Sequence, residues 1–200
     1  MNGAWIRVFL AALAVLAVAG RSAASDLERY GFAKQRLGLM SGYAWGFGAL
    51  GSQGLSQAGV RIVPIIATWS MGGEPLAMEH GWGGNFEIQI EGQLWLNQQP
   101  TSGLGGGTAA TLRYNWLHAR PVFPFVEAGI GLGGIDFDTD QPDGFTFIVQ
   151  AGGGAHWRLT RSLAVTLQYR FQHLSNAGTQ QPNNGINSHM LLVGPTLFLR

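Results

Sequence analysis

The sequence predicts an all-β fold, namely an eight-stranded antiparallel transmembrane β-barrel with a plugged polar lumen. Eight runs of roughly ten residues alternate apolar and polar side chains, which is the period of a β-strand. Segments rich in Gly, Pro, Asn, Asp and Ser separate the runs and favour turns. After residue 25 no apolar stretch reaches the ~18 residues of a membrane-spanning helix. Strands are therefore expected to cross the membrane.

The predicted strands cover most of the chain, and no linker or shift in composition indicates a second domain. They span residues 37–48, 59–71, 85–97, 107–118, 121–134, 145–158, 162–175 and 188–199. The Gly-rich segment 103–107 is interpreted as a loop before the fourth strand. We therefore predict one barrel domain over residues 25–200.

Residues 1–24 have the form of a secretory signal peptide. Arg7 gives a positive start, an apolar run covers residues 8–20, and small residues follow at 22–24. The apolar run is shorter than the ~20 residues that a helical anchor needs. We therefore expect this segment to direct export, with the outer membrane as the destination of the barrel.

Composition excludes several classes of function. The net charge is +1 and 12% of residues are charged, so the basic footprint of a nucleic-acid binder is absent. The chain has no cysteine, which excludes disulfides and thiolate metal sites. Histidines and carboxylates do not recur at metal-binding spacing, so we expect neither a metal nor another cofactor.

The third run shows the two faces expected of a barrel strand. Phe86 and Ile88 share the face assigned to lipid, and Glu87 and Glu91 share the face assigned to the lumen. Other runs offer polar partners for the same lumen, among them Thr111, Arg113, Asn115, Glu127, Gln150, His156, Gln168 and Arg170. Buried charges are tolerated only when they are paired, and eight strands leave room for side chains alone. A filled lumen is therefore expected, and not a pore.

Most tryptophans lie near the ends of the predicted strands. They are Trp45, Trp69, Trp82, Trp95, Trp116 and Trp157. Such placement is typical of the aromatic girdles at the two membrane interfaces of a barrel. The core of a soluble β-sandwich would account for the same residues, and this alternative is weakened by the signal peptide.

The seventh run carries a base and a hydroxyl at one end of its lipid-facing stripe. His173 and Ser175 continue the odd-numbered face, whereas Arg170 and Gln172 lie on the lumen face. With an even number of strands and both termini in the periplasm, this strand ends near the outer leaflet. The two Cα atoms are ~7 Å apart, so suitable rotamers bring the groups within hydrogen-bond reach. A base beside a hydroxyl is the requirement for an activated serine.

Asparagines of the following hairpin surround this pair. Asn187 opens the eighth strand and can lie beside His173, where its side chain would fix the imidazole tautomer. Asn176, Asn183 and the backbone at Gly178 are nearby donors for an oxyanion.

The segment RFQHLSNAGTQQPNNGINS resembles the PagL family of lipid A 3-O-deacylases. The matching pattern is His-x-Ser-Asn, followed after a short proline-containing loop by Asn-x-Gly. The resemblance implies that Ser175 is the nucleophile and His173 the base. It also implies that Asn176 and Gly178 hold the oxyanion and that Asn183 shapes the loop.

The family pattern carries an acidic residue at the position of Asn187. An amide can orient His173, although it stabilises the imidazolium less than a carboxylate does. The resemblance implies an outer-membrane serine esterase that acts on lipid A of lipopolysaccharide without a cofactor. It leaves open which acyl ester is cut, and a homodimer is left open as well.

Two other functions stay open from the sequence. A non-catalytic outer-membrane barrel with a structural or binding role has the same strands, and a soluble secreted barrel could bind an apolar ligand. His189, two residues beyond Asn187, is interpreted as an interfacial polar residue and not as a second catalytic histidine. His80 and His118 are assigned to loops or strand ends, and His156 to the lumen.

Overall fold

A computed structural model describes residues 32–47, 59–76, 83–117, 121–139, 141–181 and 183–199. The predicted signal peptide, Trp82, His80 and His118 lie outside these ranges. None of the described residues forms a helix that is long and apolar enough to span a membrane.

Eight antiparallel strands form a closed barrel in which each strand pairs with its neighbours in sequence and β1 pairs with β8. They are β1 Gln35–Gly46, β2 Arg61–Gly72, β3 Gly84–Gln99, β4 Gly103–Trp116, β5 Val122–Asp136, β6 Gly144–Arg158, β7 Leu163–Ser175 and β8 Ile186–Leu199. All eight predicted runs are therefore strands, and the predicted fold class is confirmed. Closure leaves the sheet without an edge strand whose backbone groups would be unpaired.

One prediction was wrong, because residues 103–107 belong to β4 and not to a loop. A Cβ added to Gly106 would lie 2.7 Å from the carbonyl oxygen of Gln93, and one added to Gly107 would lie 2.4 Å from that of Leu132. These distances are too short for a side chain, so the glycines allow β3, β4 and β5 to approach closely. A glycine-rich composition usually indicates a loop, but here the glycines are needed for close packing of the strands.

The alternation of side chains sorts the strands into an apolar outside and a polar inside, as predicted. Ile88 is 61% exposed and Leu167 is 63% exposed on the outer face. Glu87 and Arg170, which lie on the inner face of the same two strands, are at most 1% exposed. Such an inverted arrangement is that of a barrel whose outside meets lipid.

Three arginines and three glutamates fill the middle of the described lumen. They are Arg36, Arg113, Arg170, Glu87, Glu91 and Glu127. Arg170 donates to Glu91 Oε2 at 2.7 Å and to Glu127 Oε1 at 2.7 Å. Arg113 donates to Glu127 Oε2 at 2.7 Å. Balanced charges with charge-assisted hydrogen bonds make their burial tolerable, so the lumen is plugged.

Apolar clusters close both ends of this polar layer. Phe32, Phe123 and Phe198 belong to the cluster at the end of the barrel where β1 begins and β8 ends. The cluster at the opposite end includes Leu174 and Trp95, and it lies beneath the hairpin of β7 and β8. Trp95 was predicted for an aromatic girdle, but it is fully buried in the lumen, where its Nε1–H donates to Gln93 Oε1 at 3.2 Å. The prediction placed it on the wrong face because it relied on position along the strand.

Candidate functional site

The candidate residues lie where β7 ends and β8 begins. In this hairpin His173 pairs with Asn187 and Phe171 pairs with His189. The neighbours Gln172 and Leu174 point into the lumen and are at most 1% exposed, whereas His173 and Ser175 are half-buried on the outer face. The strand period therefore places His173 and Ser175 on the outer face of the barrel, and their catalytic roles stay predictions.

A hydrogen bond of 2.8 Å joins His173 Nδ1 to Asn187 Oδ1. Because an amide oxygen only accepts, His173 Nδ1 carries the proton and donates it. In the neutral imidazole, Nε2 is then left with a lone pair and can accept a proton. The orientation of the Asn187 amide thus selects the tautomer that a general base requires.

Ser175 is fixed through its backbone and not through its hydroxyl. Its carbonyl oxygen accepts a hydrogen bond from Thr146 Oγ1 at 3.2 Å, and its Cα pairs with Phe147 across β6. Within the part of the chain that the structure describes, its hydroxyl makes no hydrogen bond, so it is not joined to His173 in this conformation. Catalytic hydrogen bonds are often formed only when substrate is bound.

The loop after β7 is built around the side chain of Asn176, which is 1% exposed. Its Oδ1 accepts the N–H of Gly178 at 2.9 Å, and its Nδ2 donates to the carbonyl oxygen of Gln180 at 3.1 Å. The loop turns through positive φ angles of 52° at Ala177 and 81° at Gly178. The two predicted oxyanion donors are therefore bonded to each other in this conformation. Their roles remain predictions.

Asn183 is exposed in the same loop, and its predicted role in shaping that loop stays a prediction.

Across the hairpin, His189 stacks on Phe47 with ring centroids 4.1 Å apart. The hydroxyl of Tyr169 lies 2.7 Å from His189 Nδ1, and Trp45 is a further aromatic neighbour. Histidine in an aromatic cluster on the outer face agrees with its interpretation as an interfacial residue.

A contact that the sequence did not reveal joins a second loop to the site. Gly185 lies against the imidazole edge, since an added Cβ would be 2.6 Å from His173 Cε1 and 3.3 Å from Nε2. The N–H of Gly185 donates to Gln141 Oε1 at 2.7 Å. Gln141 comes from the segment between β5 and β6, which had been interpreted only as a turn. The described residues contain no group of three or more side chains that could hold a metal ion.

Comparison with known proteins gives one family and two similar structures. The family described as Lipid A 3-O-deacylase (PagL) matches residues 57–196, which is more than half of the chain. The crystal structure of the outer membrane enzyme PagL has a TM-score of 0.54 and 19% identity, covering 80% of this chain and 97% of that chain. Neisserial surface protein A (NspA) has a TM-score of 0.57 and 14% identity, covering 83% and 97%. No curated protein matches the sequence. At these identities the two structures support the barrel fold alone.

Proposed function

This chain belongs to the lipid A 3-O-deacylase (PagL) family, and we propose that it is an outer-membrane serine esterase. Its substrate is an ester-linked 3-O-acyl chain on lipid A of lipopolysaccharide. The observation that carries the proposal is the hydrogen bond from His173 Nδ1 to Asn187 Oδ1, two residues from Ser175 on the same outer face. It leaves His173 Nε2 as a proton acceptor on the side of the barrel where a lipid ester would lie.

The reaction begins when His173 Nε2 takes the hydroxyl proton of Ser175 and Oγ attacks the ester carbonyl carbon. The carbonyl oxygen becomes an oxyanion, for which the amide of Asn176 and the N–H of Gly178 are the proposed donors once their present hydrogen bonds rearrange. The C–O bond to the sugar then breaks, and the sugar oxygen takes the proton from His173. Water attacks the acyl-enzyme with its proton passing to His173, and the fatty acid leaves as Ser175 regains its hydroxyl.

The outer face beside the catalytic pair suits an acyl chain. Phe171 and Tyr169 continue the stripe of His173 toward the middle of β7, and Tyr169 is 44% exposed. With both termini in the periplasm, β7 ends at the outer leaflet, where lipopolysaccharide resides. The chain of the substrate would lie along this stripe while its ester meets Ser175.

Asn187 replaces the acidic residue of the family pattern, and the effect of this replacement on the reaction rate can be estimated. Loss of the correct tautomer costs a serine hydrolase about 10⁴-fold in rate. The amide oxygen of Asn187 keeps that tautomer, so only the charge that stabilises the imidazolium is lost. A hydrogen bond to a charged group is stronger than a neutral one by about 1 kcal/mol, which corresponds to roughly a fivefold to tenfold change in rate.

Mass spectrometry of lipid A tests the proposal. Refolded wild-type protein should remove one hydroxyacyl mass, and Ser175→Ala and His173→Ala should each abolish the loss. The altered mobility of folded barrels on unheated gels serves as the folding control for each variant. Near wild-type activity in either folded variant would refute the assignment of that residue.

A non-catalytic outer-membrane barrel is the second candidate, and the replacement at Asn187 is the observation that favours it. The fold does not distinguish the two candidate functions, because a surface protein matches the chain as well as an enzyme does. The variant Asn187→Glu separates the two candidates. It should raise the rate of a working esterase severalfold, and it should leave the lipid A spectrum unchanged for an inert barrel.

A further inference from the structure

We propose that Gln141 is a positioning residue of this site, which holds Gly185 against the imidazole of His173 and so restrains the orientation of that ring. The inference rests on the proposed function and extends it to a loop that is distant in sequence. Gln141 lies between β5 and β6, and its bonding partner Gly185 lies 44 positions further along the chain.

The hydrogen bond fixes both partners in a defined way. The N–H of Gly185 can only donate, so the atom of Gln141 at 2.7 Å is the amide oxygen. Gly185 has a φ of 62°, a left-handed conformation that glycine adopts without strain. The bond therefore anchors a residue whose backbone would otherwise have wide conformational freedom.

The anchored glycine adds a second contact to the imidazole ring. His173 Nδ1 donates to Asn187 Oδ1 at 2.8 Å. Beside this bond, Gly185 packs against the Cε1–Nε2 side of the ring, where an added Cβ would be 2.6 Å from Cε1 and 3.3 Å from Nε2. The hydrogen bond and the packed backbone together restrict rotation of the ring about its side-chain bonds, so the direction of Nε2 is restrained.

The loop that carries Gln141 is itself held firmly. Phe137 is fully buried in the apolar cluster, and its N–H donates to Asp143 Oδ1 at 2.9 Å. The backbone N–H of Gln141 donates to Thr139 Oγ1 at 3.3 Å. These hydrogen bonds restrain the described backbone next to Gln141, as the support of a positioning residue requires.

The amide oxygen is the polar atom of the Gln141 side chain that makes a hydrogen bond. The side chain is 1% exposed, and its Nε2 has no hydrogen-bond partner among the described residues. An apolar side chain of similar length would fill the same space without an unpaired buried donor. The unpaired donor costs stability, and the contact that distinguishes glutamine from an apolar side chain is the hydrogen bond that its oxygen accepts from Gly185.

The variant Gln141→Met tests this inference, with Gln180→Met as the matched control. Methionine keeps the length of glutamine and removes the acceptor, whereas the side chain of Gln180 is exposed in the neighbouring loop. For lipid A deacylation by the full refolded barrel, we expect Gln141→Met to lower kcat roughly 10- to 100-fold, because misplacement of a catalytic group by about 1 Å has an effect of this size. KM should change less than about twofold, since Gln141 is not proposed to bind substrate.

Two further variants make the test independent of the methionine substitution. Gln141→Glu keeps an acceptor oxygen at the same reach and loses both Nε2 protons, so it should retain much more activity than Gln141→Met. Gln141→Asn keeps the amide but withdraws its oxygen by one methylene, so it should lose activity like Gln141→Met. If Gln141→Met does not fold, the contrast between these two variants decides.

The outcomes separate this inference from the proposed function. An inactive wild-type barrel would refute the esterase and with it the role of Gln141. An active wild type with an unchanged kcat in folded Gln141→Met would refute the role of Gln141 alone. An equal loss in Gln180→Met, or a change confined to KM, would also overturn it, because neither result follows from a misplaced imidazole.

Discussion

Replacement of Gly185 by alanine should impair the site far more than it impairs the barrel. The added Cβ would lie 2.6 Å from His173 Cε1, whereas ordinary van der Waals contact begins at 3.4 Å. The ring or the loop must therefore move by about 0.8 Å, the difference between these distances, to restore ordinary contact. Because a shift of about 1 Å can cost 10²-fold in rate, we expect Gly185→Ala to lower kcat by roughly two orders of magnitude.

The same substitution also strains the backbone, and this effect needs its own control. Gly185 has a φ of 62°, a conformation that costs an L-residue about 1–2 kcal/mol. Gly144 has a φ of 108° and no atom within 4 Å of its added Cβ. Gly144→Ala therefore introduces backbone strain without a steric clash at the site.

The two variants are compared by their rates of lipid A deacylation. These rates are measured by mass spectrometry and corrected for the folded fraction. Urea unfolding gives the loss of stability for each. Gly144→Ala should also lose stability, because a φ of 108° lies outside the left-handed region that L-residues adopt, yet only Gly185→Ala should lose activity. Equal activities at equal folded fractions would show that Gly185 does not hold His173, and the steric reasoning would be refuted.

Two predictions concern the lumen and the outer face. Arg170→Met leaves Glu91 buried without the cation that binds it at 2.7 and 2.8 Å, so the free energy of unfolding in urea should fall by about 3–5 kcal/mol. Adding Glu91→Gln should recover most of this loss, and a double variant as unstable as the single would contradict the ion-pair explanation. His189→Phe keeps the stacking on Phe47 and removes the hydrogen bond to Tyr169, so the deacylation rate should stay within about threefold of wild type. A loss as large as that of His173→Ala would instead make His189 a second catalytic residue.

The strands could be predicted because each one carries its own signal. Alternation over the third run assigned Glu87 and Glu91 to the lumen without knowledge of any partner strand. Arg36 was missed as a lumen residue because the first predicted run begins at residue 37, two positions after the start of β1 at Gln35. It lies on β1, is 2% exposed and forms an ion pair with Glu87. Errors of one or two residues at strand ends thus hide the outermost members of the polar network.

Glycine was the residue whose meaning the sequence left ambiguous. In segment 103–107 it signalled a loop, and the structure uses it for close strand contact. At Gly185 it provides a positive φ and room for an imidazole ring. Local composition cannot separate these uses, because each depends on atoms that arrive from another strand or loop.

The contacts of the candidate site likewise include some that the sequence could predict and some that it could not. The pairing of His173 with Asn187 could be predicted because the two residues belong to one hairpin, whose register follows from short-range chain geometry. Gln141 could not be predicted, since its contact with Gly185 joins two loops and follows no periodicity. Such contacts are possible because the strands alternate in direction, which places the β5–β6 and β7–β8 loops at the same rim of the barrel. The hairpin supplies the chemical groups, and the neighbouring loop supplies the restraint that keeps the imidazole in one orientation. Substitutions in the segment between β5 and β6 should therefore alter the rate of this site even though that segment carries none of its reacting groups.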